Sequence, residues 1–203
     1  MRNKTLIILD WDDTLFPTTW ANGNNINMSD KDTRINNQII FAELDNILYD
    51  FLSKCTKLGS VVIITNASYN WIIASMSILP NTKRLVANTI KIISARDMYQ
   101  HNKTMSKWKQ IAFEHEAFNF FEGKLDVHNI VSIGDADYEY NALIQFYDWK
   151  KIEPKKRLLK TIKFLSIPSY YSLMDQILVL TKCIGKVCNK QKHVDLHFKN
   201  LSS

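Results

Sequence analysis

Asp10, Asp12 and Asp13 crowd three carboxylates into four positions, and Asp135, Asp137 and Glu139 place three more within five. Each group directly follows an apolar run, Thr5 to Leu9 (TLIIL) and Ile130 to Ile133 (IVSI). Six acidic groups brought to one edge would repel strongly unless something cationic sat among them. Hard oxygen donors in an open, partly hydrated setting suit Mg²⁺, which keeps waters and needs only one or two protein carboxylates beside phosphate oxygens. Calcium fits less well, because no segment resembles an EF-hand loop.

The elements that must position these groups can be read from periodicity. Besides the two runs above, Val61 to Ile64 ends at Thr65-Asn66, and Ile90 to Ile93 and Thr161 to Ile167 have the same continuous apolar character; all five read as buried strands. Helical spacing over 36–58, 70–79 (stopped by Pro80), 106–120, 138–146 and 169–180 fills the intervals. Strand and helix alternate, so the expected fold is a doubly wound α/β domain with a parallel sheet of about five strands flanked by helices. Ligands of such sheets sit beyond the carboxyl ends of the strands, which points to Asp10–Thr14, Thr65-Asn66 and Asp135–Glu139. Residues 16–34, polar and rich in Asn, read as a short flap over that edge. Domain expectations are therefore 1–180 for the catalytic unit and 181–203 for a basic C-terminal extension.

At 203 residues with 46% hydrophobic content, the chain can bury a full core. Its five glycines, at 23, 59, 123, 134 and 185, form neither a dinucleotide fingerprint nor a P-loop. The net charge of +6 is uneven: residues 1–147 carry 14 basic and 16 acidic groups, residues 148–203 carry 12 and 4. A basic end segment raises nucleic acid as a partner. That segment also holds Cys183, Cys188, His193 and His197, whose spacing matches no standard zinc finger. No apolar run reaches a membrane-spanning length and no secretory leader opens the chain, so no membrane partner and an intracellular, cytoplasmic location are expected. Three cysteines fit reduced thiols better than a disulfide framework.

DWDDTLF at 10–16 resembles motif I of the haloacid dehalogenase (HAD) superfamily, and Thr65, a lysine near the start of the 106–120 helix and GDADYE at 134–139 resemble motifs II, III and IV in family order. The resemblance covers residues 5 to about 180. It implies a Mg²⁺-dependent phosphatase of capless or small-cap type acting on a phosphorylated substrate. Asp10 would be the nucleophile and Asp12 the general acid and base, an acid that members cleaving carbon–halogen bonds lack. Thr65 and Lys109 would clamp the phosphoryl oxygens, with Thr14 and Asn66 beside them. Asp10, Asp12 through its backbone carbonyl, Asp135 and Glu139 would hold the metal, with Asp137 an alternative to Glu139. Lys103 and Lys107 remain alternatives to Lys109. Competing expectations are a phosphatase of nucleic-acid ends and a nucleic-acid-binding module built on the basic segment. Nucleobase stacking on Trp11 or Trp20 is the lesser reading of those rings.

Overall fold

All five residues of β1 (Thr5–Leu9) are buried, because both faces of the strand are covered. Ile7 and Leu9 point to a layer containing Leu44, Leu48, Ile177 and Ile184; Leu6 and Ile8 point to another containing Phe113 and Leu143. The computed structural model, which describes residues 5–121, 128–148 and 157–199, builds these layers from α1 (Thr18–Gly23), α2 (Lys31–Leu58), β2 (Ser60–Thr65), α3 (Tyr69–Met76), α4 (Pro80–Thr89), β3 (Lys91–Ser94), α5 (Ala95–Tyr99), α6 (Met105–Phe121), β4 (His128–Gly134), α7 (Asp137–Ile144), β5 (Arg157–Lys163), α8 (Tyr170–Asn189) and β6 (Val194–His197). Among these helices none is long and apolar enough to cross a membrane.

The sheet is parallel throughout and ordered β3-β2-β1-β4-β5-β6. It is the doubly wound α/β fold expected, with six strands instead of about five. The sixth, VDLH, is short and mostly exposed, so no apolar run announces it; it pairs with β5 from Lys160↔Val194 to Lys163↔His197. The crossovers through α7 and α8 step the same way along the sheet, yet α7 contributes to one layer and α8 to the other. They are therefore of opposite hand, a departure from the nearly uniform right-handed rule.

Element boundaries move for local reasons. Asp30 caps α2 by accepting from Thr33 N at 2.7 Å, so the helix starts at Lys31 and not near 36. Pro80 opens α4, since a first-turn residue needs no N–H donor, while α3 has already ended at Met76. The strand expected over 161–167 lies at Arg157–Lys163; beyond it Phe164 N donates to the Gly134 carbonyl and Ile167 turns left-handed (φ 55°) ahead of Pro168.

The boundary expected at residue 180 falls inside α8. Ile184, Val187 and Cys188 are buried, and the Cys188 carbonyl at the helix end accepts from Lys160 Nζ (2.7 Å) and Asn129 Nδ2 (2.8 Å). Lys182, Lys186, Lys190 and Lys192 are exposed. Because α8 runs back from the strand tips, Lys186 lies roughly 24 Å along its axis from Tyr170, at about 1.5 Å per residue. Gly185 there faces Leu58, beside the start of β2. The Cys/His pattern does not converge either: His193 Nδ1 accepts from Leu159 N, and His197 contacts Asp195 at 2.9 Å.

Candidate active site

The chain leaves β1 toward β2 and β4 toward β5, so the winding reverses between β1 and β4, and a crevice forms at their carboxyl tips. Asp10 follows β1 and its N–H donates to the Ile133 carbonyl at 3.0 Å. Asp135 follows Gly134 on the neighbouring strand. A side chain at Gly134 would have to displace Glu139, since a Cβ there would lie 2.3 Å from Glu139 Cγ. Glu139, on the first turn of α7, folds back over that glycine and accepts from Ala136 N at 3.2 Å. Carboxylate oxygens of Asp10, Asp135 and Glu139 all lie within 4.8 Å of one another, the only such cluster of His, Cys, Asp or Glu among the described residues.

Lys109, 3% exposed on α6, sits between them: Nζ is 2.7 Å from Asp10 Oδ1 and donates to Glu139 Oε1. Burial alone would lower its pKa, yet the carboxylates of Asp10 and Glu139 outweigh burial and hold the ammonium above its ordinary range. Lys107 is exposed and bonds Gln110, and Lys103 is exposed. Asp137 is exposed and pairs with Lys163. Of these alternatives, therefore, Lys109 and Glu139 are the side chains gathered at the strand tips.

Around this centre the other residues are ordered by short contacts. Thr14, fully buried, directs its hydroxyl at Asp135 Oδ1 (3.5 Å). Thr65, 1% exposed, accepts from Ala67 N at 3.1 Å, which leaves its own proton to donate elsewhere. The Asn66 amide is buried and has no partner among the described residues on either polar atom. Asp13 adopts φ 52° and is tied down by Thr19 N (2.9 Å) and the Thr19 hydroxyl, so it shapes the turn. Asp12 stands outside the carboxylate cluster; its Oδ1 accepts from Trp71 Nε1 at 2.8 Å and from the Thr18 hydroxyl. Burial, and then the charge of Asp10, hold its carboxyl above the usual range.

The segment expected as a flap is anchored. Ala21, Ile26 and Met28 are buried in the core, and Trp20 packs on Tyr170 with ring centroids 4.9 Å apart. Trp11 is also fully buried, its Nε1 donating to Ser75 Oγ at 2.9 Å, so it offers no face to a base. Trp71 and Thr18 escaped the sequence reading. A Trp on an apolar helix reads as core, and only the phase of α3 relative to β2 brings its N–H to Asp12.

Three carboxylates against one ammonium leave a net charge of −2, and each pair, lying within 4.8 Å, repels by at least about 3.5 kcal/mol at an effective dielectric near 20. The donors are hard oxygens, and the excess charge is that of one divalent cation, so the residues present fit Mg²⁺. Without a cation, burial and the charges of Asp10 and Glu139 push Asp135 up to about 7. Its native pKa then exceeds the unfolded value of 3.8, so the native state binds the extra proton and metal-free stability falls as pH rises from about 4 to 7. Thermal melts in chelator are expected to show that decline, and millimolar Mg²⁺ at pH 8 to reverse it. Equal melting temperatures at pH 5 and 8 in chelator would contradict the clustering.

A doubly wound parallel sheet with these motifs at its strand tips defines a phosphatase of the HAD superfamily. Over residues 5–176 the sequence matches the NLI interacting factor-like phosphatases, and the chain belongs to that family. Among solved structures, the HAD domain of effector protein Lem4 from Legionella pneumophila is similar at 15% identity, with a TM-score of 0.46 over 93% of this chain and 99% of that one. No curated protein matches.

Proposed function

We propose that the protein hydrolyses a phosphate monoester in two steps through an aspartyl-phosphate on Asp10, with Mg²⁺ held by Asp10, the Asp12 carbonyl, Asp135 and Glu139. The observation that carries this reading is the buried Lys109 bridging Asp10 and Glu139 at the β1/β4 crevice. When bound, the cation supplies charge neutralisation for the phosphoryl oxygens. Lys109, 2.7 Å from Asp10 Oδ1, directs that carboxylate, so one of its oxygens attacks phosphorus in line with the leaving group. As the bond from phosphorus to the ester oxygen breaks, Asp12 delivers a proton to that oxygen and the alcohol departs. Asp12, now a carboxylate, takes a proton from a water, which attacks the same phosphorus and releases inorganic phosphate and Asp10. Thr65 and Asn66 have donors free to hold equatorial oxygens throughout.

The exposed lysines of α8 stand at the far end of the sheet from Asp10, which disfavours a nucleic-acid end gripped by that segment as the monoester. Three free thiols accord with a reducing, cytoplasmic setting. Phosphate release from para-nitrophenyl phosphate tests the reading: activity should disappear in chelator and return with Mg²⁺. Full turnover in chelator would remove the metal from the proposal.

A further inference from the structure

Asp12 is held by one oxygen only. Its Oδ1 receives the indole N–H of Trp71, from α3, and the hydroxyl of Thr18, from α1. Oδ2 accepts no hydrogen bond from the described residues, and Asp12 is only partly buried. Both donors are themselves fixed. Trp71 lies edge-on to Phe16 (ring centroids 6.2 Å), its backbone N–H is capped by Ser68 Oγ, and its carbonyl accepts from Ser75 Oγ at 2.8 Å. Ser75 Oγ in turn accepts from Trp11 Nε1, so two indoles tie the Asp10–Phe16 turn to the helix that follows Thr65-Asn66.

A carboxyl that pivots about its Cβ–Cγ bond presents either oxygen at random, whereas a doubly bonded Oδ1 leaves a single oxygen to carry the proton. We propose that Trp71 and Thr18 are positioning residues that hold Asp12 through Oδ1 so that Oδ2 alone meets the ester oxygen. This rests on the reading of Asp12 as the proton donor given above. Displacement of a catalytic group by about 1 Å can cost 10²-fold, enough for the clamp to matter in turnover.

Loss of a well-aimed acid harms poor leaving groups and spares good ones, which depart without a proton. Trp71→Phe, Thr18→Val and Asp12→Asn should be compared on phenyl phosphate and dinitrophenyl phosphate with saturating Mg²⁺. Because Asp12 also serves the second, leaving-group-independent step, the comparison is made on kcat/KM, which reports phosphorylation of Asp10: Trp71→Phe and Thr18→Val are expected to lower it on phenyl phosphate by about 10- to 100-fold and to change it on dinitrophenyl phosphate less than about threefold. Equal losses in kcat/KM on the two substrates, or none on either, would overturn the clamp. If Trp71→Phe does not fold, Thr18→Val decides, since it removes the second donor from a different element. Should Asp12→Asn show no leaving-group dependence, the acid assignment itself fails; a dependence there without one in the two clamp variants overturns only the clamp.

Discussion

Asp10→Asn is expected to abolish turnover, with a loss above about 10³-fold, because the covalent route passes through this carboxylate and an amide of nearly the same shape does not attack phosphorus. The fold should persist. Lys109 keeps Glu139 as a partner, and removing one of three crowded negative charges relieves Asp135, which Asp10 helps to push up. The variant should therefore melt no lower than wild type in chelator while releasing no phosphate. Retention of more than a tenth of wild-type activity would exclude Asp10 as nucleophile.

Lys109→Ala should damage both activity and stability, and it separates this lysine from its neighbours. Among the described residues the ammonium is the one cation paired with Asp10 and Glu139, all three groups being under 10% exposed. Removing one member of a buried ionic cluster leaves uncompensated charge, typically at a cost of about 3–5 kcal/mol. Lys103→Ala and Lys107→Ala remove exposed side chains and should change stability by no more than about 0.5 kcal/mol. Chemical denaturation in chelator measures the difference, and added Mg²⁺ should restore part of the Lys109→Ala loss without restoring turnover. If Lys107→Ala were the damaging substitution, the phase of α6 would be wrong.

Much of the fold was legible because the buried strands of a parallel sheet need both faces apolar, and TLIIL, VVII and IVSI can satisfy that need only at its centre. What failed was whatever tertiary contact decides. β6 has no apolar signature and exists because the β5 edge accepts it. α8 continues past Leu180 because Leu58 and the start of β4 wait for it. Residues 16–34 looked like a flap because polar side chains dominate there, while Ala21, Ile26 and Met28 carry the packing. At the site, the carboxylates were visible as clusters following strands. The choice among Lys103, Lys107 and Lys109 was not fixed by spacing, since all three precede or open one helix. Trp71 was invisible, because a hydrogen bond between residues 59 positions apart depends on two elements docking together.

The central place of β1 shapes how a nascent chain reaches this structure. β1 pairs on one side with β2 and on the other with β4, whose partner residues such as Ile133 are far along the chain from Leu9. Once β3 has been made, about 40 more residues must be synthesised before β4 is complete, roughly 2–8 s at ordinary translation rates. During that interval a β1-β2-β3 sheet would carry an open edge on its most apolar strand, the kind of edge that recruits other chains into aggregates. Arrival of β4 covers the edge and, by the same ladder, carries Asp135 to Asp10. Protection from misassembly and the birth of the catalytic pocket are one event in the life of this chain.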